Sequence, residues 1–170
     1  MKKIKLIAGL LMAACGTATA QMGEAQKITF DKDTTVNFNV SVDAVWKLVK
    51  DPAKWNELSN GHISSISTKG SLETALLRTI SFADGTTRTD EVSQFMPEYK
   101  FIVNRVVAPL PKGVTENIYM FSLVNEEGKG TQMKYSIKVD GSEPGKQQLL
   151  AALIKEMDAF LRGVQQALNK

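Results

Sequence analysis

One cysteine, Cys15, and one histidine, His62, are present in the whole chain, and each scarcity closes a class of chemistry. A single cysteine cannot form a disulfide within the chain, so a folded domain must be held by its own core. A single histidine without partner thiols leaves no thiolate or multi-histidine metal centre, although carboxylate calcium sites stay open. A Gly-rich phosphate loop, a Gly-x-Ser-x-Gly elbow and a dinucleotide fingerprint are all missing, which argues against serine-nucleophile and nicotinamide chemistry and implies no cofactor. Charge of one sign is missing as well. Three of the 21 basic residues, Lys2, Lys3 and Lys5, stand at the start, and the remaining 18 balance 18 acidic residues. Without a clustered Lys/Arg face there is no footprint for nucleic acid.

Long hydrophobic runs are also lacking. The run from Leu6 to Ala14 is shorter than the roughly 20 apolar residues a membrane-spanning helix needs, and no other stretch approaches that length. Preceded by lysines and followed by Ala18-Thr19-Ala20, the run reads as a signal peptide over 1–20, cleaved between Ala20 and Gln21. The mature protein is then periplasmic or secreted, with no transmembrane segment. A second reading takes Met12-Ala13-Ala14-Cys15 as a lipoprotein processing site, which tethers the domain to a membrane through Cys15. Residues 21–33 read as a polar lead-in, and 34–170 as a single domain long enough to bury one core.

What is present alternates. Val36, Phe38 and Val40 share one face of a strand over Thr35–Val40. Ser41 then caps a short helix carrying Val42, Val45, Trp46 and Val49. Asp51-Pro52 ends that helix and opens a second short one through about Leu58. Six strands follow over Ile63–Thr68, Leu72–Phe82, Thr87–Phe95, Lys100–Val107, Val114–Val124 and Thr131–Val139, separated by Gly-, Pro- and Asp-rich turns. Short sequential turns predict an antiparallel meander. The helical period of Leu150, Leu153, Ile154, Met157, Phe160, Leu161, Val164 and Leu168 predicts a long amphipathic helix at the end. The class is α+β: seven antiparallel strands, curved around the C-terminal helix, with space left between sheet and helix.

Three local signs add a resemblance. Val40-Ser41-Val42-Asp43-Ala44-Val45-Trp46, Asp51-Pro52-Ala53-Lys54-Trp55-Asn56, and the Asp-Gly hairpin within Arg78–Glu91 are similar to the SRPBCC or START-like superfamily, polyketide cyclase/dehydratase proteins with a helix-grip fold. The resemblance covers residues 34–168. It implies an apolar pocket that takes lipids, polyketides, quinones or other hydrophobic molecules, in binding proteins as well as in cyclases and dehydratases.

Hairpin arithmetic selects the polar candidates. A two-residue Asp84-Gly85 turn sets Arg78 opposite Glu91, on the face of Leu72, Leu76, Ile80, Phe82 and Phe95, and sends Arg88 and Asp90 to the other face. A three-residue loop would instead set Arg78 against Asp90. Arg78 and Glu91 are the candidate ligand anchors, with Glu91 the candidate acid/base if the protein is an enzyme. Trp55, Tyr119, Tyr135 and Met157 join Leu76 and Ile80 as candidate ligand contacts. His62, in a turn, weighs more as an exposed residue than as a base, and Trp46 more as core. The expectation is an exported protein that binds a small hydrophobic or amphipathic molecule. The alternatives are a cofactor-independent cyclase or dehydratase and a ligand-free envelope interaction domain.

Overall fold

Exposed and half-buried side chains alternate along β1 (Lys32–Phe38), which ends with the Phe38 ring in the core. The structure, a computed structural model, describes residues 28–126 and 130–169. The leader, the Ala20–Gln21 junction, Cys15 and most of the lead-in lie outside the described residues. The chain joins the sheet at Lys32, ahead of the alternating run at Thr35, and leaves it before Val40. Asp31 explains the early start: its carboxylate accepts from the Val139 amide at 2.8 Å and pairs with Lys146 at 2.7 Å. These polar ties carry no hydrophobic periodicity.

The Ser41 hydroxyl accepts from the Ala44 amide at 3.3 Å and opens α1 (Val42–Val49), which buries Val45, Trp46 and Val49. Asp51 caps a 3-10 helix over Pro52–Leu58, whose Trp55 donates its indole N–H to the Val49 carbonyl at 2.8 Å. The strands follow as β2 (Ile63–Ser71), β3 (Ala75–Phe82), β4 (Thr87–Met96), β5 (Phe101–Ala108), β6 (Val114–Glu126) and β7 (Gly130–Gly141). They form one sheet in the order β1-β7-β6-β5-β4-β3-β2, with every neighbouring pair antiparallel. Bulges interrupt the β2–β3, β4–β5 and β6–β7 ladders and bend the strands. The β2–β3 turn lies over 72–74, later than the Lys69-Gly70-Ser71 turn signal.

The β3–β4 hairpin corrects the expected register. Leu77 faces Glu91 and Arg78 faces Asp90. The loop has three residues, Ala83, Asp84 and Gly85. Gly85 takes a φ of +85°, and the Asp84 carboxylate accepts from both the amide and the hydroxyl of Thr86. A third loop residue in the left-handed region supplies the extra bend. Arg88 and Asp90 therefore turn inward beside Arg78, and Glu91 turns outward.

The helix α2 (Gly145–Leu168) buries Leu149, Leu153, Met157, Phe160 and Val164 against β7, β6, β1 and the two short helices. At Gly163 a Cβ would stand 1.9 Å from the Leu58 carbonyl oxygen, so glycine permits the close approach of α2 to the 3-10 helix. An aromatic cluster occupies the middle of the sheet–helix interface: Trp55 lies 5.1 Å from Phe160 and 5.6 Å from Phe121, and Tyr135 lies 6.3 Å from both phenylalanines. These rings occupy part of the space expected between sheet and helix.

Candidate functional site

Four charged side chains lie inside this core. Arg78 and Asp90 are 0% exposed, Arg88 8% and Glu156 5%. Asp90 receives a two-pronged contact from Arg88, Nε to Oδ1 at 2.7 Å and Nη2 to Oδ2 at 2.6 Å. The same Arg88 Nη2 reaches Glu156 Oε2 at 2.6 Å, tying β4 to α2. Arg78 donates to the Pro52 carbonyl, to Asn104 Oδ1 at 2.9 Å and to the Tyr119 hydroxyl at 2.7 Å. That hydroxyl in turn donates to Asp90 Oδ2 at 2.5 Å. Two cations and two anions thus close into one neutral network.

Its members come from elements far apart in the chain, and each is inward because of strand phase or helix phase. Arg78, Arg88 and Asp90 share the concave face of the β3–β4 hairpin. Asn104 and Tyr119 continue it on β5 and β6. Glu156 sits on the buried stripe of α2, three residues after Leu153 and four before Phe160. The Arg78 guanidinium also stacks 4.4 Å from the Trp55 ring.

Burial and these neighbours displace the acidities. Burial foremost pushes the Tyr119 and Tyr135 phenols well above their ordinary range; Glu156 and Asp90 add to the rise while Arg78 and Arg88 oppose it. For Arg88, burial works against the charge, but Glu156 and Asp90 outweigh it and hold the guanidinium firmly protonated. Removing charges from water costs several kcal/mol per ion on the order-of-magnitude scale, so such a network persists only with full hydrogen bonding or a function.

A cleft of about 220 Å³ opens directly above it. Phe82, Thr87 and Arg88 from the β3–β4 hairpin, Pro109 and Pro111 from the β5–β6 loop, and Leu149, Ala152 and Lys155 from α2 form its walls, with His62 and Asp84 at the rim. His62 packs on Phe82 with ring centroids 5.3 Å apart. A groove of about 410 Å³ on the outer face, where β5 and β6 part around Asn117, is larger, but its walls include exposed Arg105, Val107 and Leu110. Of these two, the inner cleft is the one that meets the buried charge network, through Arg88.

The predicted residues divide. Arg78, Leu76, Ile80, Trp55, Tyr119, Tyr135 and Met157 all reach the interior, but they pack beneath the cleft rather than walling it. Glu91 is the correction: it lies on the outer face, where Arg105 donates to it at 2.8 Å, because the hairpin register is one residue off the expected one. Arg88, Asp90 and Glu156 were missed. The signal for the first two was the three-residue loop; for Glu156 it was an acid in phase with an apolar helix stripe.

No family model matches the chain, and no curated protein matches it by sequence. Solved structures do match in fold. The protein XoxI from Bacillus cereus superposes with a TM-score of 0.68 at 18% identity, over 82% of this chain and 95% of that one. An aromatase/cyclase from a Streptomyces species gives 0.66 at 14%, over 81% and 92%. A norcoclaurine synthase from Thalictrum flavum, in complex with dopamine and hydroxybenzaldehyde, gives 0.64 at 15%, over 81% and 84%. With its seven-stranded antiparallel sheet and long C-terminal helix, the chain therefore has the helix-grip fold of these solved structures.

Proposed function

We propose that this chain is an exported binding protein whose inner cleft holds a small, largely apolar molecule, with the Arg88 guanidinium at the floor meeting the molecule's polar end. The observation that carries the reading is a buried, hydrogen-bonded charge network whose one cleft-lining member is Arg88. Phe82, Pro109, Pro111 and Leu149 supply apolar walls, and burial of apolar area supplies affinity. The volume of about 220 Å³ falls below the roughly 300–1,000 Å³ of pockets for drug-sized ligands, which favours a molecule of one or two rings over a diacyl lipid. The fold neighbour with dopamine and hydroxybenzaldehyde holds molecules of that size. Export rests on Lys2, Lys3 and Lys5, the apolar run and Ala18-Thr19-Ala20, and the mass of the mature N-terminus tests it.

Binding is tested by titrating the protein with 2-naphthol, 2-naphthoate and 2-methylnaphthalene while following backbone amide shifts. At least one probe should move the amides of Thr87, Arg88, Leu149 and Ala152. Ala152→Trp, which fills the cleft from an exposed helix position, should abolish those shifts at unchanged melting temperature. Shifts confined to other surfaces, or none with any probe, would overturn the reading.

A further inference from the structure

Apart from His62, the charged side chains that line the inner cleft are Arg88, Lys155 and Asp84, and they are engaged to different degrees. Arg88 belongs to a neutral network: it stands 2.6 Å from both Asp90 and Glu156, and Arg78 lies 4.0 Å from the same Asp90. Its Nε and Nη2 serve those two carboxylates. The guanidinium therefore brings to the cleft a hydrogen-bond donor, Nη1, and little uncompensated charge. Asp84 is exposed, and its carboxylate accepts from the amide and hydroxyl of Thr86. Lys155 differs from both, since among the described residues no hydrogen bond or ion pair engages it.

Lys155 is the chain neighbour of Glu156, the residue that ties Arg88 to α2, so both cations reach the cleft from one junction of hairpin and helix. Asp84 feels Lys155 across the mouth: the Thr86 hydrogen bonds foremost hold its carboxyl below the ordinary range, and the charge of Lys155 adds to the lowering. The two nevertheless form no ion pair. Resting on the cleft reading above, we infer that the polar end of the bound molecule is a single carboxylate, paired with Lys155 for charge and with Arg88 Nη1 through a hydrogen bond. The ligand is then a small apolar monoacid.

Charge balance decides the class. With a neutral network beneath and one unengaged ammonium in the wall, a monoanion completes the pairing. A ligand ammonium would meet two cations, and a dianion would leave negative charge beside Asp90 and Glu156. A neutral hydroxyl can accept from Nη1 but leaves Lys155 in water. Arg88 alone does not favour a carboxylate, because two anions already share it and a third is repelled. The preference for an acid therefore resides in Lys155. Asp84 opposes it, but a carboxylate in contact with Lys155 meets Asp84 only at longer range, where salt screens the repulsion. His62, also at the rim, packs its ring on Phe82.

The naphthalene probes separate charge from shape at neutral pH, where 2-naphthoate is an anion and 2-methylnaphthalene has no polar end. At low salt the full chain should bind 2-naphthoate about fivefold more tightly than 2-methylnaphthalene, the upper range for an ion pair that solvent can reach. Lys155→Gln, at an exposed helix position, should reduce that advantage to below about twofold, and Lys155→Arg should keep it. Both variants should keep the parent's affinity for 2-methylnaphthalene, which reports on the apolar walls alone. Naphthoate binding no more tightly than methylnaphthalene, or an advantage that survives Lys155→Gln, would overturn the inference while the cleft reading stands. No cleft binding by any probe would overturn both.

Discussion

Asp90 is the residue on which the buried network turns. It takes three hydrogen bonds, two from Arg88 and one from Tyr119, and faces Arg78 across the hairpin. Replacing it with alanine leaves two buried guanidinium groups against Glu156 alone. Breaking a buried ion pair from one side costs about 3–5 kcal/mol, most of it from the uncompensated charge. Tyr119→Phe removes one hydroxyl that links Arg78 to Asp90, yet both charges keep other partners. Its cost should be about 1–3 kcal/mol. Urea unfolding of the two variants should therefore rank Asp90→Ala well below Tyr119→Phe, and the reverse order would show that the network is held by the phenol rather than by charge pairing. Arg78 is sealed beneath the cleft beside Asp90, and under the proposed function Arg88 is the arginine that meets the ligand.

Among the elements, α2 and the 3-10 helix meet most closely at Gly163. Glycine in a helix interior costs about 1 kcal/mol relative to alanine, so Gly163→Ala should stabilise if propensity decided the sign. The Leu58 carbonyl oxygen, 1.9 Å from the added carbon, is backbone and cannot swing away. Overpacking of this kind costs about 1–3 kcal/mol, and the variant should unfold at lower urea than the parent; a rise in midpoint would mean that the two helices separate freely. The strand order and the long helix were legible because turn residues separate the strands and the helix stripe keeps its period. The pairing of Arg78 was not. Asp84-Gly85 fits a two-residue turn and also the end of a three-residue one, and the difference of one residue exchanges Glu91 for Asp90 at the interior. Glu156 was illegible for a different reason. An acid on an apolar stripe looks like a breach of pattern until Arg88, 68 residues away in sequence, is placed against it.

For the molecule as a whole, the packed interior ties its stability to alkaline pH. In the unfolded chain tyrosine titrates near 10, whereas burial holds the Tyr119 and Tyr135 phenols protonated well beyond that in the fold. A native acidity raised above the unfolded value gives stability that is fully present below the unfolded pKa and is lost as pH rises through the native one. The unfolded chain releases two protons that the fold retains. Stability should therefore fall above pH 10 with a slope approaching about 2.7 kcal/mol per pH unit from these two groups. Urea midpoints measured from pH 9 upward should bend downward near 10, and phenolate absorbance from the two buried tyrosines should appear only with unfolding. In Tyr135→Phe half of that slope should disappear. If phenolate instead forms in the folded protein at ordinary pH, water reaches both hydroxyls freely, and the buried network does not seal the floor of the cleft.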